Sequence, residues 1–215
     1  MTQIEKLARE RRTVKLLPDP ANPLPTGGLA RSEVEALIAC AGWAPFHRPN
    51  AEAREGSATA REPWRFHLLD GAGCRALIAP LETLPKPPKK LSNMLAAADA
   101  LILATWLPEP FEGEGWEPSL YNMEHIAAAS AAVQTLLLAA TERGITNYWS
   151  SGGSLATLDA FKLLRIPDGE ILLGAIFLFP EAPEDIERGE GKMRPLRAEP
   201  SAWSRWIDIA GDAGP

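Results

Sequence analysis

One stretch of the chain, Ile126 to Thr141, carries no charged residue and is rich in alanine. Its 16 residues are good helix formers, and their apolar side chains would surround a helix almost completely. Such a helix must be covered on several faces, either as the central core helix of one subunit or against a partner subunit. The stretch is too short and too rich in alanine for us to predict a membrane span. Close approach by a neighbouring helix is favoured by the small side chains of Ala127, Ala128, Ala131 and Ala132.

A chain of 215 residues can bury a core of its own, and we expect one domain over residues 1–215. The formal net charge of -6 argues against a general binder of nucleic acids or acidic membranes, so an anionic ligand requires a local basic cluster. The segment Met1 to Arg12 has no apolar core, so we predict no secretory signal and a cytoplasmic protein. Cys40, Cys74 and three histidines show no metal-ligand spacing, so we predict no metal site and two buried thiols.

Helical and strand patterns alternate irregularly along the chain, which is typical of a central sheet covered by helices. Helices are predicted over Ile4 to Arg12, Leu29 to Trp43, Met123 to Thr141 and Ala156 to Leu164. Strands are predicted over Arg65 to Leu69, Ala100 to Leu107, Ile145 to Trp149 and Ile171 to Phe179. The last strand is apolar throughout, so we expect it in the middle of the sheet. Connectors are predicted over Pro85 to Lys90 and over Pro108 to Pro118.

Two short basic segments could bind a phosphate group. Arg11, Arg12, Thr13 and Lys15 place three cations and a hydroxyl within five residues, a combination that suits a phosphate monoester. The second segment contains Lys192 and Arg194 and is flanked by acidic residues. Taken alone, the first segment is better explained as a solvated basic helix end, and the second is ambiguous.

Two turns could approach a ligand through their backbone. The first, Ala44 to His47, follows the second predicted helix, and Pro45 restricts its conformation. The second, Ser150 to Ser154, joins a strand to a helix through two glycines. Between the first turn and the next strand, Arg48 to Glu62 is polar and lacks a core pattern, so we predict a surface loop. Neither turn is specific by itself, and we interpret His67 and His125 as structural residues.

The order of these motifs along the chain resembles the nitroreductase family. That family combines an N-terminal Arg-Arg-Ser/Thr motif, a helix ending in Ala-Pro, a Pro-Trp-x-Phe segment, an alanine-rich helix, a glycine-containing turn and a basic pair near the C-terminus. The resemblance covers nearly the whole chain, and its specificity lies in the ordered set. The corresponding segments are Arg11-Arg12-Thr13, Ala44-Pro45-Phe46-His47, Pro63-Trp64-Arg65-Phe66, Ala127 to Ala140, Trp149-Ser150-Ser151-Gly152 and Lys192-Met193-Arg194.

The resemblance implies an α+β fold with a mixed, mainly antiparallel sheet wrapped by helices, in a homodimer that binds FMN at its interface. It implies that NADH or NADPH reduces a quinone, nitro or similar small acceptor through FMN, by ping-pong hydride transfer and without a catalytic side chain. The FMN phosphate and ribityl tail are expected at Arg11, Thr13, Lys192 and Arg194, with Arg12 at the ribityl chain or ring edge. The isoalloxazine is expected between Pro45, Phe46 and His47 and the backbone of Ser151, Gly152 and Gly153.

Several features depart from the family pattern. An insertion at about residues 48–62 would lie beside the flavin, and Glu62 and Phe46 stand where the family has Gln and Ser or Asp. Asn50 is a possible substitute for a family asparagine, and Lys89 or Lys90 for a family lysine. We expect residues 181–215 to pack on the partner, with Trp203 and Trp206 as anchors. These departures leave an alternative function, a flavin-binding sensor or carrier that does not turn over nicotinamide.

Overall fold

The computed structural model describes residues 1–50, 60–83, 89–109 and 119–207, without the side chain of residue 89. The helices in these ranges are α1 (Gln3–Glu10), α2 (Arg31–Ala41), α3 (Gly71–Glu82), α4 (Lys89–Ala97), α5 (Leu120–Glu142) and α6 (Leu158–Leu164). The strands are β1 (Val14–Leu16), β2 (Trp64–Asp70), β3 (Ala100–Trp106), β4 (Thr146–Ser150), β5 (Ile171–Phe179) and β6 (Arg188–Glu190).

Four strands form the central sheet in the order β2-β3-β5-β4, and each neighbouring pair is antiparallel. The predicted α+β class is therefore confirmed, and β5 lies inside the sheet as its continuous apolar pattern predicts. The remaining two strands, β1 and β6, pair antiparallel as a separate ribbon. This ribbon contacts β4 and β5 through β1, near one edge of the sheet.

The core has two layers because both faces of β3 are covered. All seven residues of β3 are buried. Ile102, Ala104 and Trp106 face α2 and α5, whereas Leu101 and Leu103 face the side that holds α3 and α4. Burial on both faces explains why β3 and β5 are apolar along their length instead of alternating with polar residues.

Helix α5 packs on α2 and on the sheet, and it is longer than predicted, with 23 residues. Its first turn is capped by Ser119, whose side chain accepts a hydrogen bond from the Asn122 amide. By length and composition alone, α5 would pass as a membrane span, but it buries Asn122 and His125 in the protein core. An exposed or half-buried stripe without charge also runs along α5, through Leu120, Met123, Ala127, Ala131, Gln134 and Leu138.

Two predicted helix boundaries were wrong for local reasons. The helix predicted over Ile4 to Arg12 ends at Glu10, because Arg11 adopts a non-helical conformation with φ -51° and ψ 125°. The helix predicted from Ala156 begins instead at Leu158, after a 3-10 turn over Gly153–Ala156. Thr157 separates the two elements and caps α6, since its side chain accepts from the Ala160 amide.

Helices α3 and α4 were not predicted, and both have sequences that obscure a helix. Helix α3 contains two glycines and Pro80, and the start of α4 was assigned to the proline-rich connector. The helices are joined by Arg75 of α3, which donates hydrogen bonds to the carbonyls of Leu24, Leu95 and Ala98. The other predicted loop, Pro108 to Pro118, lies mostly outside the described residues.

The two cysteines differ in burial. Cys74 is fully buried in α3, as predicted, and burial raises the pKa of its thiol to about 12. Cys40 is only half-buried in α2, so the prediction of two buried thiols holds for one of them.

Gly174 lies where the register of β5 against β3 shifts, and Trp149 packs over it. An added Cβ would meet the Trp149 indole and lie 2.7 Å from the Ser150 carbonyl oxygen. We expect Gly174→Ala to lower the free energy of unfolding by about 1–3 kcal/mol, because a well-packed site resists extra volume. Urea denaturation measures this loss. Gly42→Ala is the control, and equal midpoints for the two variants would contradict the prediction.

Candidate functional site

The β1–β6 ribbon brings together the two basic segments that the sequence separates by about 180 residues. Val14 pairs with Glu190, and the Gly191 amide donates a 2.9 Å hydrogen bond to the Thr13 carbonyl. The chain entering β1 and the chain leaving β6 therefore lie side by side. The predicted N-terminal and C-terminal basic segments meet at this end of the ribbon.

A cleft of about 320 Å³ lies at this end of the ribbon. Four arginines line it, and Glu190 contributes one carboxylate. Lys192, predicted as a phosphate ligand, does not line this cleft, whereas Arg197, which was not predicted, does. Local spacing does not indicate Arg197, because only the pairing of β6 with β1 brings its segment to Arg11. The lining residues are Arg11, Arg12, Thr13, Glu190, Gly191, Met193, Arg194, Pro195 and Arg197.

Mutual repulsion of cations characterises this cleft, which we call the arginine cleft. Burial lowers the pKa of Arg11, and the nearby charges of Arg197, Arg194 and Arg12 lower it further. The pKa of Arg194 is also lowered, by desolvation and then by the other arginines. Arginine remains charged in spite of such shifts, so the cleft holds several positive charges. An anion bound there would relieve the repulsion.

Strand β1 continues from the arginine cleft along β4. Arg12 and Val14 line a smaller cleft with Thr146 and Asn147 at the start of β4. Further along, the Lys15 ammonium lies 5.8 Å from the centroid of the Tyr148 ring. An extended ligand that starts in the arginine cleft and follows β1 would therefore pass Lys15 and reach the turn after β4. The distance along the strand is roughly 14 Å.

The turn after β4 contains the predicted Ser151, Gly152 and Gly153. Gly152 and Gly153 have φ of 93° and 54°, values in the left-handed region that favours glycine. Gly152 is buried, and its amide donates to the Ser150 hydroxyl at 3.2 Å. Ser151 and Gly153 are exposed on either side of it. A ligand can therefore approach the turn at these two residues, whereas the Gly152 amide already has an acceptor.

Pro45, Phe46 and His47 are exposed, but they lie away from this turn within one chain. Phe46 packs edge-on against Trp64 of β2, with ring centroids 5.7 Å apart, on the sheet face covered by α2 and α5. The turn after β4 packs instead against Leu172, on the opposite face and at the opposite edge. One chain therefore does not bring the two predicted ring-binding groups together.

The ends of the predicted insertion are fixed to the core. Arg48 forms a 2.5 Å ion pair with Glu124 of α5, and its guanidinium carbon lies 3.9 Å from the centroid of the Tyr121 ring. Asn50 is buried, and its backbone N–H donates a 2.7 Å hydrogen bond to the Arg61 carbonyl. The prediction of a surface loop holds for the exposed Pro49 and Arg61 and is wrong for the buried Asn50, while residues 51–59 lie outside the described part. Glu62 is half-buried beside β2, and Lys90 is exposed at the start of α4.

His67 and His125, which the sequence indicates as structural residues, both lie within hydrogen-bond distance of protein groups. His125 is fully buried, and its Nδ1 lies 2.7 Å from the Leu107 carbonyl oxygen. His67 Nε2 lies 2.7 Å from a carboxylate oxygen of Glu170, which also accepts a hydrogen bond from the Thr105 hydroxyl. Glu170 is 8% exposed and was not identified from the sequence. Within the described ranges, no group of three histidine, cysteine or carboxylate side chains could hold a metal ion.

Comparison with solved structures identifies the fold. A nitroreductase-like family protein from Bacillus cereus superposes with a TM-score of 0.68 and 24% sequence identity, over 97% of each chain. This chain has the nitroreductase-like fold. Nitroreductases with bound FMN from Bacteroides fragilis and Desulfitobacterium hafniense give TM-scores of 0.59 and 0.55, at 14% and 15% identity, over 97% of this chain and 100% of theirs. No protein-family profile and no curated protein sequence matches the chain.

We expect inorganic phosphate to stabilise this nitroreductase-like domain, because an anion in the arginine cleft would be bound only by the folded chain. A concentration ten times the dissociation constant adds about 1.4 kcal/mol, or about 3–6 °C in melting temperature for a chain of this size. Differential scanning fluorimetry measures the shift against sodium chloride of equal ionic strength. Arg11→Ala should reduce the shift and Lys162→Ala should not. Equal stabilisation by chloride would show that general screening, not a bound phosphate, is responsible.

Proposed function

We propose that this chain is an FMN-dependent oxidoreductase that uses NADH or NADPH to reduce a quinone, nitro or similar small acceptor. The observation that carries the proposal is the arginine cleft, which the β1–β6 ribbon assembles at the end of a path leading to the glycine turn. Two of the similar solved structures are nitroreductases with bound FMN. FMN has three parts that match these features in order. Its phosphate would lie in the arginine cleft, its ribityl chain along β1, and its ring at the turn after β4.

The residues of the cleft fit a phosphate monoester. Arg11 is partly desolvated, which strengthens its attraction for an anion, and the Thr13 hydroxyl lies beside it at 3.4 Å from one guanidinium nitrogen. Lys15 lies farther along β1, where it would interact with a polar chain or ring edge. The chain has no GxGxxG fingerprint for a dinucleotide pyrophosphate. We therefore assign FMN in preference to FAD.

When bound, FMN supplies hydride transfer between the nicotinamide and the second acceptor. The chain would hold the phosphate at Arg11 and Thr13, and the exposed backbone at Ser151 and Gly153 would border the ring. Gly153 leaves room for that close approach, because it has no Cβ and the space beside it is open, whereas Gly152 is packed against Leu172. We assign no side chain as a general acid or base. In this proposal, the protein positions the reactants and excludes water.

We further propose that the active form is a homodimer. The uncharged stripe on α5 is exposed in the single chain, as are Met193, Leu196, Trp203, Trp206 and Ile207 in the C-terminal segment. A two-fold partner would cover these surfaces. It would also supply Pro45, Phe46 and His47 to the other subunit's turn, which one chain cannot do because the sheet separates the two groups. The proposed ring site is therefore complete only in the dimer.

The alternative function remains a flavin-binding sensor or carrier. Two features favour it: Phe46 is 38% exposed where a small residue would leave more room for a nicotinamide, and Glu62 is half-buried nearby. A carboxylate close to the ring would oppose the anionic reduced flavin. Both functions require the same arginine cleft, so they are distinguished by turnover and not by binding.

The enzyme and the binder give different results in one anaerobic experiment. We expect the purified protein to be yellow and to release FMN on denaturation. NADH or NADPH should bleach the visible absorbance, menadione should restore it, and steady-state plots should show the parallel lines of a ping-pong reaction. A flavin reduced by dithionite but by neither nucleotide would favour the sensor or carrier. Colourless protein that does not take up added FMN would refute both functions.

The dimer is tested by a charge on the exposed stripe of α5. Ala127→Glu should produce a monomer and lower FMN retention, because burying an unpaired carboxylate in an interface is strongly unfavourable. Ala127 is exposed in the single chain, so folding itself should survive the change. Light scattering with absorbance detection reports mass and flavin content together. Ala79→Glu, on the exposed side of α3, is the matched control, and a flavin-loaded monomer in the wild type would contradict the dimer.

A further inference from the structure

Two of the four arginines in the arginine cleft already have internal acceptors. Arg12 Nη1 donates to the carbonyls of Arg9 and Glu10, at 2.6 and 2.8 Å. Arg194 donates from Nη2 to the Arg9 carbonyl at 2.5 Å and from Nη1 to the Arg11 carbonyl at 3.4 Å. These carbonyls lie at the C-terminal end of α1, where helix geometry leaves them without intrahelical donors. Arg12 and Arg194 therefore cap α1.

The side chains of the other two arginines donate no hydrogen bond to a backbone carbonyl in the described residues. Arg11 makes one weak side-chain contact, from Nη1 to the Thr13 hydroxyl at 3.4 Å. The Arg197 guanidinium has no hydrogen bond or ion pair with any residue in the described ranges, although it lines the cleft. Its backbone is held in place, since the Arg197 amide donates to the Arg194 carbonyl at 3.3 Å. Arg197 is thus an exposed cation with a fixed backbone, and its guanidinium has no partner among the described residues.

The charge balance of the cleft also requires an anion. Four arginines line it, and Glu190 supplies the one carboxylate among the lining residues. Among the neighbouring charges, that of Arg197 lowers the pKa of Arg11 most, so the two guanidinium groups repel one another. A dianion between them would replace this repulsion by two attractions. The planar forks of two arginines can engage separate oxygens of one phosphate.

We propose that Arg197 and Arg11 form the guanidinium pair that binds the terminal phosphate of the cofactor, while Arg194 positions the end of α1 and Lys192 takes no part. This inference rests on the proposed FMN function and changes the expected ligand set. The basic pair implied by the family resemblance is Lys192 and Arg194. In the described residues, the cleft arginines whose side chains do not cap α1 are Arg11 and Arg197, and Arg197 lies three residues beyond that pair.

The consequence is a specificity for phosphorylated flavin that depends on residue 197. Riboflavin has the same ring and ribityl chain without the phosphate, so a lost phosphate contact affects FMN alone. A residue that merely holds the fold would affect both flavins equally. The ratio of FMN to riboflavin affinity therefore separates a phosphate ligand from a structural residue.

The experiment uses the full chain, freed of flavin and titrated with FMN and with riboflavin by fluorescence quenching. Arg197→Ala should weaken FMN binding roughly 10- to 100-fold, the range for loss of one charge-assisted phosphate contact, and leave riboflavin binding unchanged. Lys192→Ala, an exposed cation five residues earlier, is the matched control and should change neither affinity. Arg197→Lys keeps the charge without the planar fork and should recover only part of the FMN affinity.

Three outcomes would overturn the inference. If Arg197→Ala binds FMN as tightly as the wild type, Arg197 is not a phosphate ligand, and the FMN function stands as long as the wild type prefers FMN to riboflavin. If Arg197→Ala weakens both flavins alike, the residue acts through the fold of the C-terminal segment. If the wild type binds neither flavin, the proposed function itself fails and the assignment of Arg197 fails with it.

Discussion

Burial of both faces of the central strands β3 and β5 governs the rest of this structure. A strand pair that is apolar apart from Thr105 must be covered on each side, and helices α2 and α5 cover one face while α3 and α4 cover the other. Helix α5 therefore directs an apolar face to the sheet and another to α2. Its remaining stripe is also uncharged, and this excess of apolar surface is the physical reason for proposing a partner subunit.

The candidate site lies outside this core, where the β1–β6 ribbon joins the two ends of the described chain. The three residues of β1 pair with the three residues of β6. This pairing places Thr13 beside Gly191 and brings four arginines to one cleft. Such a cluster opposes folding of the empty protein through like-charge repulsion. Groups arranged against stability are typical of binding sites, because the ligand supplies the compensating interaction. The cleft combines this repulsion with a guanidinium, that of Arg197, which has no partner in the described residues.

The two sides of the proposed ring site are separated by the sheet. Phe46 packs on Trp64 at the β2 edge, and the glycine turn packs on Leu172 near the β4 edge. Each group follows the element after which it was predicted, but the two lie too far apart in one chain to contact the same ligand. The proposed dimer requires a two-fold axis that places the β2 edge of one subunit near the β4 edge of the other. Arg48, held by Glu124 and Tyr121, fixes the segment that would make this contact.

The family resemblance of the ordered motifs implied the α+β class. Local patterns in the sequence determined a central sheet covered by helices, the positions of β2, β3, β4 and β5, the interior place of β5 and the long helix α5. These elements carry periodic or continuous apolar signals, which depend only on near neighbours in the chain. Helices α3 and α4 were missed because glycine, proline and lysine residues hide their periods, and the three-residue strands β1 and β6 are too short to show one. Tertiary structure alone decided that Arg197 joins Arg11 and that Lys192 does not line their cleft. The physical reason is that these choices follow from strand pairing between distant segments and from which carbonyls each guanidinium reaches, neither of which is encoded in local spacing.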